Sequence, residues 1–444
     1  YAPNNAVMII SGKFDKAQVL KQIDQNFSPI QARSIPAQAK VALLDASKIK
    51  QRNFLVQKGS DLAKFNIYLN GKNEKIKPAL VLVPYLYTMQ PSGHLYQSMV
   101  ETALSTAVQS STWLDRDFNL VFMGAMYAPN HDAKKVETAL ISAVEQGKPF
   151  NEVELKRVKN LIQNQADNIA NNAAALGGRL SDYYVSYQGN WAQYFTDLDS
   201  IQKLKLNEVN QTLTEFLIPA HRVSGDIRPT PEDQKKALEQ KLSGETPKSL
   251  DQTAVAEEPL KDTRVYQQEV AEYVKSSKQY LVNTEQKIQR GSLKNGIAYA
   301  LYPTSTRDDK TYATISIDFG TEKSLFNQGE VLDLMAYLLL RGSEQHSLQE
   351  IADKSIEVGG GAVASVSGNS INIQVVAKKD QFADYFKFIL AVLNHPKFEQ
   401  SQFDLIKSQS LSMLDRPYTE PETVAALTLT RLLETYQPGD LRYH

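Results

Sequence analysis

The side chains best able to hold a metal or deliver a nucleophile are sparse in this sequence and far apart. Histidine occurs at 94, 131, 221, 346, 395 and 444, and the nearest two, His94 and His131, stand 37 positions apart. A helix offers a ligand pair at i and i+4, so no helix here can present two imidazoles. Cysteine is absent, which removes disulfides, thiolate metal sites and cysteine nucleophiles together. His346 in RGSEQHSLQE follows an apolar helix, but a histidine in a polar loop is ordinarily solvated.

One run invites closer reading. Residues 329–343 are GEVLDLMAYLLLRGS. Val331, Leu334, Met335, Leu338 and Leu339 fall at i, i+3, i+4, i+7 and i+8, the stripe that core packing alone demands. Asp333 and Tyr337 sit four apart on one face, enough for a hydrogen bond and little chemistry.

Other signals are weaker. GGGAVAS at 359–365 has no G-x-G-x-x-G leading from a strand into a helix and reads as a turn before a strand. Neither G-x-x-x-x-G-K-[ST] nor G-x-S-x-G occurs, so the common nucleotide and serine-hydrolase signatures are missing. Ser200 to Lys203 spells S-x-x-K without its companion motifs, and Glu152 with Glu154 reads as a solvated helix face. The 21 tyrosines are dispersed rather than interleaved with a basic stripe.

The elements that must position these residues follow from periodicity. Val7 to Ile10 reads as a buried strand stopped by Ser11-Gly12, and Asp15 as the N-cap of a helix with Val19, Ile23 and Phe27 on one face. FLVQ, KFNIYLNG and FNLVFMGAMYAP read as strands. PSGHLYQSMVETALSTAVQS reads as a helix turning Leu95, Met99, Leu104 and Val108 to a core, and further helices are expected over about 132–146 and 152–170. Residues 229–285 are polar and charge-rich, the composition of an inter-domain linker with helical patches. Beyond it, LKNGIAYALYP carries the Asn295-Gly296 turn signal and TYATISIDFG alternates at strand period.

The 444 residues exceed what one core organises, so two or more domains are expected. An internal duplication gives them a form. GKPFNEVELKRVKNLIQNQ and HPKFEQSQFDLIKSQSLSM align without a gap, placing Phe150 on Phe398, Leu155 on Phe403, Val158 on Ile406 and Lys159 on Lys407, each offset by 248. Asp132 falls on Asp380 at the same offset, and Tyr187-Gln188 on Tyr436-Gln437 at one residue more. The fold class is therefore α+β: two homologous units, each an antiparallel-rich sheet with helices on one face, over 1–228 and 286–444, joined by the linker 229–285.

Glycine, apolar helix, basic residue, Gly-Ser and then SLQEIADKSIEVGGGAVASVSGNSINI resemble the active-site region of the insulinase/pitrilysin family of zinc metallopeptidases. In that family the helix carries H-x-x-E-H, two histidines holding zinc and a glutamate polarising its water. Laid on this chain, the first histidine falls on Asp333, the glutamate on Ala336 and the second histidine on Tyr337. The family's third ligand, a downstream glutamate, falls near Gln409 or Ser410. The opening Y-x-P-N-N-A with S-G-K-F-D, Ser92 through Thr106, GNW at 189–191 and HRVSGDIRPT at 221–230 are similar to the family's second, non-catalytic unit.

The resemblance implies the middle of a four-unit zinc endopeptidase or oligopeptidase: the second unit, the linker and an incomplete copy of the third. It implies no catalytic residue, metal or cofactor in this chain, with zinc held by a catalytic unit upstream. It implies as partners that unit, a fourth unit downstream and an unfolded peptide substrate. An inactive partner or scaffold subunit of the same family is the alternative.

Lysine and arginine total 49 against 50 acidic residues, leaving no field to draw in nucleic acid. No apolar run reaches the length of a membrane span. Zero cysteine together with the export of the family's long bacterial forms gives a periplasmic address as the expectation, cytoplasmic as the alternative.

Overall fold

The computed structural model describes residues 2–35, 45–49, 52–57, 62–115, 117–231, 262–306, 308–414 and 421–443. It divides into two compact units, Tyr1–Thr230 with Lys310–His444, and Pro231–Asp309. The first holds two lobes, described in turn.

The N-terminal lobe runs α1 (Lys16–Phe27), β1 (Asn53–Gln57), β2 (Ala63–Gly71), α2 (Lys77–Val81), α3 (Val83–Thr88), β3 (Ala107–Leu114), β4 (Phe118–Met126), α4 (Ala133–Glu145), α5 (Glu152–Ala170), α6 (Ala173–Ser186), α7 (Gln193–Lys203), α8 (Leu206–Phe216) and β5 (Arg222–Arg228). The strands form one sheet in the order β1-β5-β2-β4-β3. Only β1 with β5 is parallel; β2 meets β4 antiparallel from Ala63↔Met126 to Gly71↔Phe118. Val121, Met123 and Ala125 alternate along β4 into the core, where they meet Leu80, Leu86, Val136, Leu140, Val158, Ile201, Val209 and Leu213 from the helices. Period-2 strands and period-3.6 helices thus point their apolar sides at each other.

The second unit contains α9 (Thr263–Glu285) and a hairpin of β6 (Gln289–Ser292) with β7 (Ala298–Leu301). The hairpin turns at Asn295-Gly296, with Gly296 at φ +90°, as the sequence anticipates. The expected linker is in part a single 23-residue helix with no buried side chain. The remainder of it, 232–261, lies outside the described residues.

The C-terminal lobe runs β8 (Lys310–Asp318), α10 (Gly329–Leu338), α11 (Leu348–Glu357), β9 (Gly361–Ser367), β10 (Ser370–Lys378), α12 (Phe382–Asn394), α13 (Gln400–Leu414) and α14 (Pro421–Leu433). Its sheet, β8-β10-β9, repeats the order β2-β4-β3 of the first lobe. The element lengths repeat too: β2 and β8 have 9 residues, β4 and β10 have 9, and α4 and α12 have 13. The chain is α+β, and the duplication read from α5 and α13 extends through the sheet.

Three local expectations change. Val7–Ile10 forms no ladder among the described residues, and Val7, Met8 and Ile10 are 42–48% exposed; an apolar run becomes a strand only where a neighbour takes its backbone groups. The helix expected from Ser92 onward is a single π-type turn, Tyr96–Val100. Thr106 N–H then bonds the Met126 carbonyl at 2.8 Å and the ladder of β4 captures the next eight residues as β3. In α10 the buried side chains are Leu332, Ala336 and Leu338, while Val331 is 55% exposed, so the core face is rotated from the stripe read in the sequence.

Candidate functional site

The residues laid on the zinc motif do not converge on a metal site. Asp333 and Tyr337 lie on the exposed side of α10, Tyr337 being 66% exposed, whereas Ala336 is buried in the core. On α13, Gln409 donates from Nε2 to the Thr106 carbonyl of the other lobe at 3.2 Å. A carboxylate, a methyl, a phenol and a carboxamide do not supply the nitrogen-rich set zinc requires. Among the described residues no three His, Cys, Asp or Glu side chains lie close enough to hold a metal ion.

The described histidines have other occupations. His94 shares 2.8 Å with Glu154 Oε1 and stacks on Phe150 with centroids 4.3 Å apart. His131 Nε2 lies 2.9 Å from the Ala103 carbonyl, and His221 Nδ1 lies 2.9 Å from that of Phe216. His346, expected in solvent, is half-buried against the Phe388 ring, 4.7 Å between centroids. Glu154, expected on a solvated face, closes the capping box of α5 with Asn151 while meeting His94. Ser200 and Lys203 bond within α7, to Thr196 and Asp199.

A different place gathers chemistry. In the repeat α10, between β8 and β9, takes the place that α2 and α3 hold between β2 and β3. Over this segment, with α5, α6 and α7, lies a cavity of about 340 Å³. Its apolar lining comes from Val81, Leu114, Ile162, Ala166, Leu198 and Ile201. Tyr85 donates its hydroxyl to Gln165 Oε1 at 2.8 Å across the α3–α5 boundary.

The cavity's aromatic wall arises from helix spacing. Tyr183 and Tyr187, four apart at the end of α6, stack with centroids 5.4 Å apart, and Tyr194 of α7 meets Tyr183 edge to face at 5.4 Å. Asp197, one turn after Gln193, accepts from Gln193 Nε2 at 2.7 Å and from the Tyr187 hydroxyl at 3.5 Å. Burial pushes the Tyr183 and Tyr187 phenols above the usual tyrosine range, and the Asp197 carboxylate adds to it. Lys77, buried, pairs with Glu74 at 3.0 Å and places its ammonium 5.3 Å from the Tyr187 ring centroid. Arg179 and Asp182 stand exposed at the mouth. The sequence reading missed this site because its tyrosines come from three helices; the pair at 183 and 187 was the one local signal.

Residues 1–162 match the family model described as the Peptidase M16 inactive domain. No curated protein gives a match. Among solved structures, the inactive peptidase domain of a Bordetella parapertussis protein described as a zinc protease is 24% identical, over 39% of this chain and 94% of its own, with a TM-score of 0.36. The periplasmic protease PqqL from Escherichia coli is 14% identical over 97% of this chain and 49% of its own, TM-score 0.37. The ferredoxin protease FusC, solved with Arabidopsis ferredoxin, is 14% identical over 96% of this chain and 50% of its own, TM-score 0.44. The chain spans about half the length of the last two.

Proposed function

We propose, from the match of residues 1–162 to the Peptidase M16 inactive domain, that the chain is the non-catalytic middle of a zinc-dependent endopeptidase or oligopeptidase. Residues 1–228 and 286–444 wall a chamber around an unfolded peptide, residues 229–285 join the halves and permit opening, and an upstream unit holds the zinc. The observation that carries this reading is that Asp333, Ala336 and Tyr337 stand where the resemblance lays the motif's two histidines and glutamate. An extended peptide adds to a sheet edge through main-chain hydrogen bonds; among the described strands β1 is an outer one, its five residues exposed. A periplasmic address belongs to the same proposal and is supported by the absence of cysteine. No described helix is long and apolar enough to cross a membrane.

The test is elemental analysis and peptide hydrolysis on the purified chain. The expected outcome is no stoichiometric zinc and no cleavage, and a full complement of tightly held metal overturns the proposal. An inactive partner or scaffold subunit requires the same loss of ligands, so the upstream reading frame separates the two. H-x-x-E-H about one unit before Tyr1 supports the peptidase, and a degenerate helix there supports the partner.

A further inference from the structure

We propose that the tyrosine-walled cavity of the N-terminal lobe binds the basic side chain, lysine or arginine, of an extended peptide. The inference rests on the chamber-wall reading for the peptide, while the choice of side chain comes from the cavity itself.

Size and lining come first. A volume of about 340 Å³ lies at the lower end of ligand sites, which run from roughly 300 to 1,000 Å³. It suits one long side chain better than a whole cofactor. Ile162, Ala166, Leu198 and Ile201 offer an aliphatic bed for a run of methylenes, the part of lysine and arginine that buries readily while the head stays polar.

The head is chosen by what remains unsatisfied. One oxygen of Asp197 is taken by Gln193 at 2.7 Å, whereas the other meets the Tyr187 hydroxyl at 3.5 Å, at the limit of a hydrogen bond, with the Tyr183 hydroxyl also turned to the carboxylate. That oxygen can accept from an ammonium or a guanidinium. Tyr183, Tyr187 and Tyr194 line the cavity with Asp197, and aromatic rings attract a desolvated cation. Lys77 over Tyr187 shows that this wall already accepts an ammonium.

Charge decides against the alternatives. Asp182 and Asp197 line the cavity with Lys77 and Arg179, and Lys77 is neutralised by Glu74, outside the lining, at 3.0 Å. The balance is one negative charge in excess. An acidic side chain entering the cavity meets Asp197, and an apolar one leaves its second oxygen with the same long contact and no gain.

The experiment is fluorescence anisotropy on the intact chain with one labelled peptide in four versions, bearing lysine, arginine, norleucine or glutamate at a single position. Lysine and arginine versions are expected to bind about ten-fold tighter than the other two. Asp197→Asn erases that preference, and Ala166→Phe, which fills the cavity, abolishes the binding that depends on it. Norleucine binding as tightly as lysine, or no binding by any version, overturns the proposal. The four-peptide comparison on the unaltered chain decides the matter if either variant fails to fold. Norleucine binding as tightly as lysine overturns the side-chain choice and leaves the chamber-wall reading standing, whereas no binding by any version counts against both, and zinc content with hydrolysis then tests the chamber-wall reading by itself.

Discussion

Arg157, on α5 of the N-terminal lobe, grips both carboxylate oxygens of Asp353, on α11 of the C-terminal lobe, through Nε and through Nη2, the latter at 3.0 Å from Oδ2. Around it Asn164 donates to the Ile356 carbonyl at 2.7 Å, and Lys378 approaches Asp167 at 3.6 Å. The guanidinium is only 10% exposed and the carboxylate 39%, so a fork-shaped donor is held where water reaches one side only. Arg157→Ala should cost about 1–2 kcal/mol, a figure already reduced for the solvent at Asp353. Urea denaturation measures it, and a loss within a few tenths would mean that the pair contributes nothing to joining the lobes.

Asp132 and Asp380 occupy the same place in the repeat but not the same role. Asp132 caps α4, accepting from the backbone of Lys134 at 2.9 Å and Lys135 at 3.3 Å. In the second copy the cap position of α12 is Gln381, with no side-chain bond, and Asp380 is exposed. Asp132→Ala should therefore lower stability by about 1 kcal/mol, and Asp380→Ala by less than about 0.5. Equal shifts in paired thermal melts would contradict this assignment.

These pairs show why some of the fold was legible in the sequence and some was not. Val136, Leu140 and Val144 mark α4 by spacing alone, and β4 is marked by the short, nearly continuous apolar run of FNLVFMGAM. β3 does not: AVQSSTWL is half polar, and only the register of β4 draws it into the sheet. Val7–Ile10 fails in the opposite sense, apolar enough for a strand but with no strand partner among the described residues. Burial around α10 was misread because i, i+3, i+4 patterns fit two adjacent faces when nearly every residue is apolar. The cavity required Tyr85, Tyr183 and Tyr194 to be brought together over about 100 residues of chain, which no local pattern encodes.

Alkaline pH should test the buried phenols. Burial is the first cause raising Tyr68, Tyr87, Tyr183 and Tyr187 above their ordinary value of 10.0. In the unfolded chain these groups ionise near 10, and in the folded chain they do so later. Their contribution is therefore fully present below pH 10 and lost as pH rises toward the folded values. Stability should stay level to about pH 9 and fall above 10, with the buried fraction of tyrosinate absorbance appearing only as the circular dichroism is lost. Complete, reversible tyrosine titration in a folded chain would contradict the burial.

The last prediction concerns α10. Asp333 and Tyr337 face solvent, four apart, while Ala336 is 3% exposed among Leu332 and Leu338. Restoring histidines at the two outer positions, Asp333→His with Tyr337→His, should change stability by no more than about 0.5 kcal/mol, because both side chains end in water. Ala336→Glu should behave differently. It drives a carboxylate into a core of apolar side chains, at a cost of about 3 kcal/mol or more unless the group takes up a proton. The three positions on which the resemblance lays the motif thus differ physically, two at the surface and one in the core. Denaturation of the double and single variants side by side checks this, and equal tolerance of both would show that Ala336 is not packed as described.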